Sequence, residues 1–260
     1  MQNDITRGIF SRTERLLGGE AQERMAQRRV IIFGVGGVGS WCAEALVRTG
    51  FRRLTIVDSD RVCLTNINRQ LMATTATVGE VKVEALRRRL LAINPEAEIT
   101  ALDEVYSAET AGRFHLDEFD YIVDAIDSLH DKALLILHAC RTRARFFSSM
   151  GAALKLDPTQ VRVAEFWKVR GCPLGAALRR RFKKEGVRPA RKFQCVYSEE
   201  LLANRGEVVA CDAFGCPCSE GKEEAPEWHA RKVHVNGSLV HITAIFGFTL
   251  AGLIIKDASQ

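Results

Sequence analysis

Short apolar runs at residues 30–33, 54–57 and 121–127 are spaced along the first half of the chain. Near-continuous hydrophobic runs of this length suit strands of a parallel sheet covered on both faces. Between them the spacing of apolar positions changes to that of a helix. Residues 38–49 form one such stretch, closed by Gly50. A second opens at Val78-Gly79-Glu80-Val81-Lys82, places Val81, Ala85, Leu86, Leu90 and Ile93 on one side, and stops at Asn94-Pro95. A third covers residues 129–143, and Ser128-x-x-Asp131 before it has the pattern of a capping box. Residues 97–102 alternate as a strand, 146–151 form another, and a turn at Asp157-Pro158 leads into a strand at 160–166. Alternation of strands and helices predicts an α/β fold, a Rossmann-like, doubly wound and mostly parallel sheet with added C-terminal strands and helices. Residues 1–28, polar and rich in arginine, read as a helical arm. Residues 29–170 hold the Rossmann-like unit. Residues 171–260 are an extension packed on that same unit, ending in an uncharged helical stretch at 239–255. That stretch is short for a membrane span and suits a buried or dimer-facing helix, with peripheral membrane association as the other reading.

The first strand runs directly into Gly34-x-Gly36-Gly37-x-Gly39. In a strand–turn–helix context, such glycines permit a tight turn, close approach of backbone to a phosphate and close helix packing. The helix N-terminus behind them offers free N–H groups to an anion. Taken alone, the turn fits a nucleotide site or a ligand-free glycine turn equally. Downstream residues favour the nucleotide. Asp58, followed by Ser59-Asp60, ends the second strand where a ribose partner belongs. Asn66-x-Asn68-Arg69-Gln70 then places amides and a guanidinium together, which a triphosphate uses and a nicotinamide does not need. Lys82 falls in the first turn of its helix, where the dipole disfavours a cation and a phosphate would explain it. Asp124 and Asp127 end the strand at 121–127, facing the ligand crevice. A structural, backbone-bonded role for Asp124 stays open, while Asp127 suits Mg²⁺ held against phosphates.

Composition narrows the picture further. The chain has 260 residues, 47% hydrophobic and 27% charged, enough for one elaborated α/β domain or two small ones. A net charge of +5 permits an anionic partner without requiring one. The densest basic block, Arg179-Arg180-Arg181-Phe182-Lys183-Lys184 and on to Lys192, reads either as a solvated helix face or as a nucleic-acid contact. No apolar segment of signal-peptide type follows Met1. With eight cysteines, this points to reduced thiols and a cytoplasmic setting. Cys42, Cys63 and Cys140 fall in apolar patterns and read as core residues. Cys211, Cys216 and Cys218, with Cys195 or Cys172, lack the paired C-x₂-C spacing of a zinc frame.

These motifs, in this order, resemble the adenylating superfamily of ThiF, MoeB, HesA and the ubiquitin-activating enzymes. Arg48-Thr49-Gly50, Ile93-Asn94-Pro95, residues 124–128, Asp157-Pro158-Thr159-Gln160, Cys195-Val196-Tyr197-Ser198 and the apolar terminal helix resemble its bacterial tRNA threonylcarbamoyladenosine dehydratase branch. The resemblance is weakest over residues 205–235. It implies a ligase-type enzyme using ATP and Mg²⁺ to adenylate a carboxylate, which an atom of the same modified nucleoside then attacks. Asp58 would hold the ribose, with Asp60 a further nucleotide-binding candidate; Arg69 and Lys82 would contact phosphates; Asp127 would bind Mg²⁺. Asn66, Asn68 and Gln70 would orient the nucleotide, and Arg15 of the arm is a further phosphate candidate. The resemblance implies a homodimer, in which Arg69 could serve the neighbouring site, and a tRNA partner for the basic block.

An alternative within the superfamily is adenylation of a ubiquitin-like sulfur carrier, with a sulfur-transfer protein as partner and Cys195 as a persulfide or thioester site. The missing C-x₂-C pairs weigh against it. A non-catalytic nucleotide-binding adaptor is the rival from another class. Redox chemistry with NAD comes last, because it leaves residues 66–70 and Lys82 unexplained.

Overall fold

Strand β1 (Arg29–Phe33) lies in the interior of the sheet, and its four apolar residues are all buried. The computed structural model describes residues 2–207 and 236–260. Among these residues the sheet has seven strands, in the order β3–β2–β1–β4–β5–β7–β6. The other strands are β2 (Arg53–Val57), β3 (Glu98–Leu102), β4 (Tyr121–Asp124), β5 (Arg145–Ser149), β6 (Val161–Glu165) and β7 (Gln194–Ser198). All pairings are parallel except that of β6 with β7. The chain moves outward from β1 through β2 to β3, then returns to lay β4 on the other side of β1. That reversal opens a crevice at the carboxyl ends of β1 and β4, the place where open α/β sheets bind ligands.

Two helical layers bury alternate residues of the central strands. On one face, α3 (Gly39–Thr49), α4 (Lys82–Ile93) and α7 (Val240–Ala258) pack with Val30, Ile32, Leu54 and Ile56 through Leu46, Leu86, Leu90, Ile242, Phe246, Leu250 and Ile254. On the other, α5 (Leu129–Ala139) and α6 (Pro173–Lys184) set Leu135, Ile136, Leu178 and Phe182 with Ile31, Phe33 and Ile122. Each such fully buried side chain is worth about 1.5–3 kcal/mol against exposure. The N-terminal arm is two helices, α1 (Gln2–Leu17) and α2 (Gly19–Gln27). Helix α7 is long and apolar enough to cross a membrane by length and composition, and 44% of it is buried against the fold.

The structure departs from the sequence pattern at four places. Strand β4 stops at Asp124 rather than 127, because the Asp124 carboxylate turns back to accept the Ile126 N–H at 3.1 Å. Ser128 makes no capping hydrogen bond, so the expected capping box does not form. Helix α5 ends at Ala139 rather than 143, where Thr142 and Arg191 take up the Ala139 carbonyl. Strand β7 follows α6 in sequence but inserts between β5 and β6, so that β6 runs antiparallel at the sheet edge.

Candidate active site

The glycine turn leaves β1 at Gly34, whose φ of 82° is costly for any residue with a Cβ. Its N–H donates to Val57 O at 2.8 Å, which fixes the turn beside the end of β2. A Cβ on Gly39 would collide with the Gly34 carbonyl, so helix and turn can approach this closely only with glycine there. Gly36 faces the Gln70 amide, and Gly37 faces Thr243 and the Arg69 stem. The turn is thus walled by the 66–70 segment and by the first turn of α7.

Lys82 occupies the first position of α4 and is 5% exposed. Its ammonium donates to Asp60 Oδ2 at 2.8 Å and lies 3.9 Å from Asp58 Oδ1. Burial works against its charge, but Asp58, Asp60 and Asp127 together hold its pKa above the usual value. These carboxylates explain how a cation tolerates a helix N-terminus. Asp58 is fixed in turn: its two oxygens accept the Val35 N–H at 2.8 Å and the Asp60 N–H at 3.0 Å. Burial pushes its carboxyl upward, with Lys82 opposing.

Arg69 donates to Thr65 O at 2.8 Å and Asn68 Oδ1 at 2.9 Å. Its backbone carbonyl accepts from Trp41 Nε1 at 3.1 Å. Burial lowers its pKa and Asp127 opposes that, so Asp127 faces both Arg69 and Lys82 electrostatically. Asn66 and Asn68 are committed within the protein. Asn66 Oδ1 accepts the Cys63 N–H at 3.1 Å, and Asn68 Nδ2 donates to Ser238 O at 2.8 Å. Gln70 is 7% exposed, and its Oε1 has no hydrogen-bond partner.

One chain therefore brings together Gly34, Gly36, Gly37, Gly39, Asp58, Asp60, Arg69, Gln70, Lys82 and Asp127. Arg15 stays apart, exposed at the end of α1, with no hydrogen bond or ion pair to this group. Asp124 is also outside it. Fully buried, Asp124 pairs with Lys132 at 2.8 Å and accepts from Ser148 Oγ at 2.6 Å, so its role is structural. Lys132, a lone cation in the apolar run of α5, was the overlooked signal for that network. Thr243 was overlooked as well, since nothing in the pattern of α7 shows that it packs on Gly37.

The basic block divides. Leu178 and Phe182 are fully buried, Arg179 donates to Phe166 O at 3.2 Å, and Arg181 pairs with Glu185 at 2.8 Å. Arg180, Lys183 and Lys184 point outward, with no ion pair among the described residues. Cys42, Cys140, Cys172 and Cys195 are buried free thiols. Cys63 is neither in the core nor a free thiol, contrary to its apolar surroundings in sequence. Burial pushes the Cys195 thiol far up, which opposes any role as a nucleophile. Cys211, Cys216 and Cys218 lie outside the described residues. Among those described, no three His, Cys, Asp or Glu side chains group as a metal site.

A parallel sheet with a glycine turn, a buried lysine and converging carboxylates at its topological switch point defines a Rossmann-like protein. The chain belongs to the ThiF family, whose model matches residues 10–260. It is 35% identical to the tRNA threonylcarbamoyladenosine dehydratase of Escherichia coli (strain K12), over 98% of this chain and 94% of that protein. To the Bacillus subtilis (strain 168) protein of the same name it is 40% identical, over 74% of each. A crystal structure of the E. coli dehydratase in complex with ATP superimposes with a TM-score of 0.81 at 33% identity, covering 97% of this chain and 94% of that one.

Proposed function

We propose that this chain is an ATP-dependent tRNA threonylcarbamoyladenosine dehydratase. The observation that carries the chemistry is Lys82, buried beside the glycine turn and facing Asp58, Asp60 and Asp127. The cradle fits a nucleotide in two further respects. Gln70 Oε1 is a buried acceptor with no partner, and the face of Gly36 is one that a larger residue would fill. Carboxylates outnumber cations around Lys82, so an added divalent cation is favoured there. Mg²⁺ on Asp127 would neutralise phosphate charge when ATP is bound.

In this reading the threonyl carboxylate of the modified adenosine attacks the α-phosphorus of ATP, and pyrophosphate leaves. An atom of the same modification then attacks the acyl carbon and AMP departs with the carboxylate oxygen, leaving the nucleoside lighter by one water. Asp58 and Asp60 position the ribose side, Gln70 and the Gly34–Gly39 turn align the phosphates, and Lys82 and Arg69 offset charge developing there. The attack is intramolecular, so proximity replaces a protein nucleophile. Arg15 and the exposed apolar residues Leu239, Val240 and Phe248 are assigned to a second copy, with light scattering as the check on a homodimer.

The test is to incubate the protein with ATP, Mg²⁺ and tRNA carrying threonylcarbamoyladenosine, and to weigh the released nucleosides. Loss of one water with equimolar AMP is expected. ATP–pyrophosphate exchange only with a diglycine-ended carrier protein would overturn the reading in favour of sulfur-carrier activation. ATP binding without turnover on either would favour an adaptor.

A further inference from the structure

An open groove of about 800 Å³ lies between the segment after β6 and the end of α6, lined among others by Trp167, Arg180, Lys183 and Arg188. No acidic side chain lines it. Trp167 is 41% exposed, high for the largest apolar side chain. The Arg188 guanidinium stands over its ring, 5.5 Å from the centroid. Arg180, Lys183 and Arg188 carry no ion pair among the described residues, whereas Arg179 and Arg181 of the same block are tied to Phe166 and Glu185. The tryptophan is anchored at its backbone and along one ring edge. Its backbone N–H donates to the Glu165 carboxylate at 3.1 Å, and Phe166, fully buried, meets its ring edge-on at 5.1 Å.

From this arrangement we infer that the groove is a second nucleic-acid site, which stacks an unpaired RNA base on Trp167 and takes the flanking phosphates on Arg180, Lys183 and Arg188. An exposed aromatic platform flanked by unpaired cations is the combination that holds single-stranded nucleic acid without reading its sequence. The contact of Arg188 with the exposed ring is weak. Stacking of a base is stronger, so the guanidinium exchanges the ring for a phosphate. An acidic protein would satisfy the cations but leave the indole face unused.

The groove is remote from the crevice. Glu165, the last residue of β6, pairs with Gln194, the first residue of β7, and β7 runs parallel to β5. Trp167 follows β6, which lies three places from β4 across the sheet, or roughly 14 Å at the usual strand spacing, so the groove is displaced sideways from the crevice. A folded RNA held in the crevice by its modified nucleoside would reach this groove with a different, unpaired segment. The inference rests on the proposed RNA substrate for its biological meaning, but its test does not.

The experiment measures binding of a single-stranded RNA oligonucleotide, a duplex of the same length and inorganic polyphosphate of matched charge to the full chain, across a salt series. Trp167→Ala is expected to weaken single-strand binding about tenfold or more, to leave polyphosphate binding unchanged, and to be rescued by Trp167→Phe. Arg180→Ala with Arg188→Ala is expected to flatten the salt dependence, by about 0.7 in log–log slope for each lost phosphate contact. ATP binding monitors folding of each variant. Equal affinity of the unaltered chain for RNA and polyphosphate, or Trp167-dependent binding of polyglutamate, would overturn the stacking site. If Trp167→Ala loses RNA but no water-loss product forms on modified tRNA, the groove stands and the proposed reaction falls. If product forms with unchanged KM for tRNA in Trp167→Ala, the reverse holds.

Discussion

Lys82 and Lys132 are both buried lysines paired with aspartates near the carboxyl ends of central strands, but they sit in different surroundings. Lys132 and Asp124 are completely enclosed, at 2.8 Å, and every remaining contact is internal: Lys132 donates to Ile126 O at 2.9 Å, while Asp124 accepts from Ser148 and Ile126 N–H. Lys82 is as deeply placed, yet its nearest carboxylate, Asp60, has a side chain 41% exposed, and Asp127 beyond it is exposed too. The first cluster is closed and internally satisfied. The second opens onto a crevice and holds negative charge in excess of Lys82. A buried charge with closed partners fixes architecture, here the turn from Asp124 to Asp127. A buried charge with open partners is available to a ligand, and only its position beside the glycine turn says which ligand.

The largest effect should come from breaking the closed pair. Lys132→Met is expected to cost about 3–5 kcal/mol in urea unfolding, because Asp124 is left buried and uncompensated. Adding Asp124→Asn should recover part of that loss; a double variant no more stable than the single would contradict a closed pair. The deficit should also depend on pH. Burial pushes the Asp124 carboxyl upward, and without Lys132 less opposes it. The folded protein then binds a proton that the unfolded chain lacks, so stability of the variant recovers as pH falls towards the ordinary carboxylate value of 3.8.

Lys82→Ala is the contrasting variant. Its kcat/KM for ATP-dependent water loss should fall about 10²–10³-fold, with a smaller shift in unfolding midpoint than Lys132→Met. Equal shifts would mean that Lys82 is architecture as well. Next in size, Asp127→Asn should raise the Mg²⁺ concentration for half-maximal turnover about tenfold, in keeping with loss of one carboxylate ligand. An unchanged Mg²⁺ dependence would remove Asp127 from the metal. The smallest effect concerns Glu44, a third buried charge, whose carboxylate receives Arg48 at 2.8 Å and Arg89 at 2.6 Å. Burial would raise its pKa, but the two arginines hold it below the usual 4.5. Its contribution is therefore complete above that value and is lost as pH falls through the depressed one. Glu44→Gln should flatten this acid-side loss in melting experiments, and a parallel pH profile would contradict it.

Most of the parallel sheet was legible in sequence because buried strands and amphipathic helices leave different periods, and glycine at positions 34, 36 and 39 marks a conformation few residues share. The convergence of Asp58 and Lys82 followed from their places at a strand end and a helix start, while Asp127 reaches the same group from the turn beyond β4. What stayed hidden was long-range. Nothing local in the 194–198 segment says that it inserts between β5 and β6 rather than adding at the edge. The separate fates of Arg179 and Arg180 depend on which side of α6 meets Phe166. Asn68 has the composition of a ligand-binding residue, but its amide is occupied by Ser238, 170 positions away. The capping pattern at Ser128 failed because the Asp124–Lys132 network sets the preceding turn instead.

The joining of Asn68 to Ser238, and of Gly37 to Thr243, also has a consequence for biosynthesis. The cradle begins with a turn near residue 34 and is walled by a helix that starts at Val240. A growing polypeptide carries the glycine turn, the lysine and all the carboxylates long before it can close the site around them. Competence to hold the nucleotide thus arrives only after synthesis has passed α7, and a message cut short ahead of that helix yields a chain with every motif and an unfinished cradle.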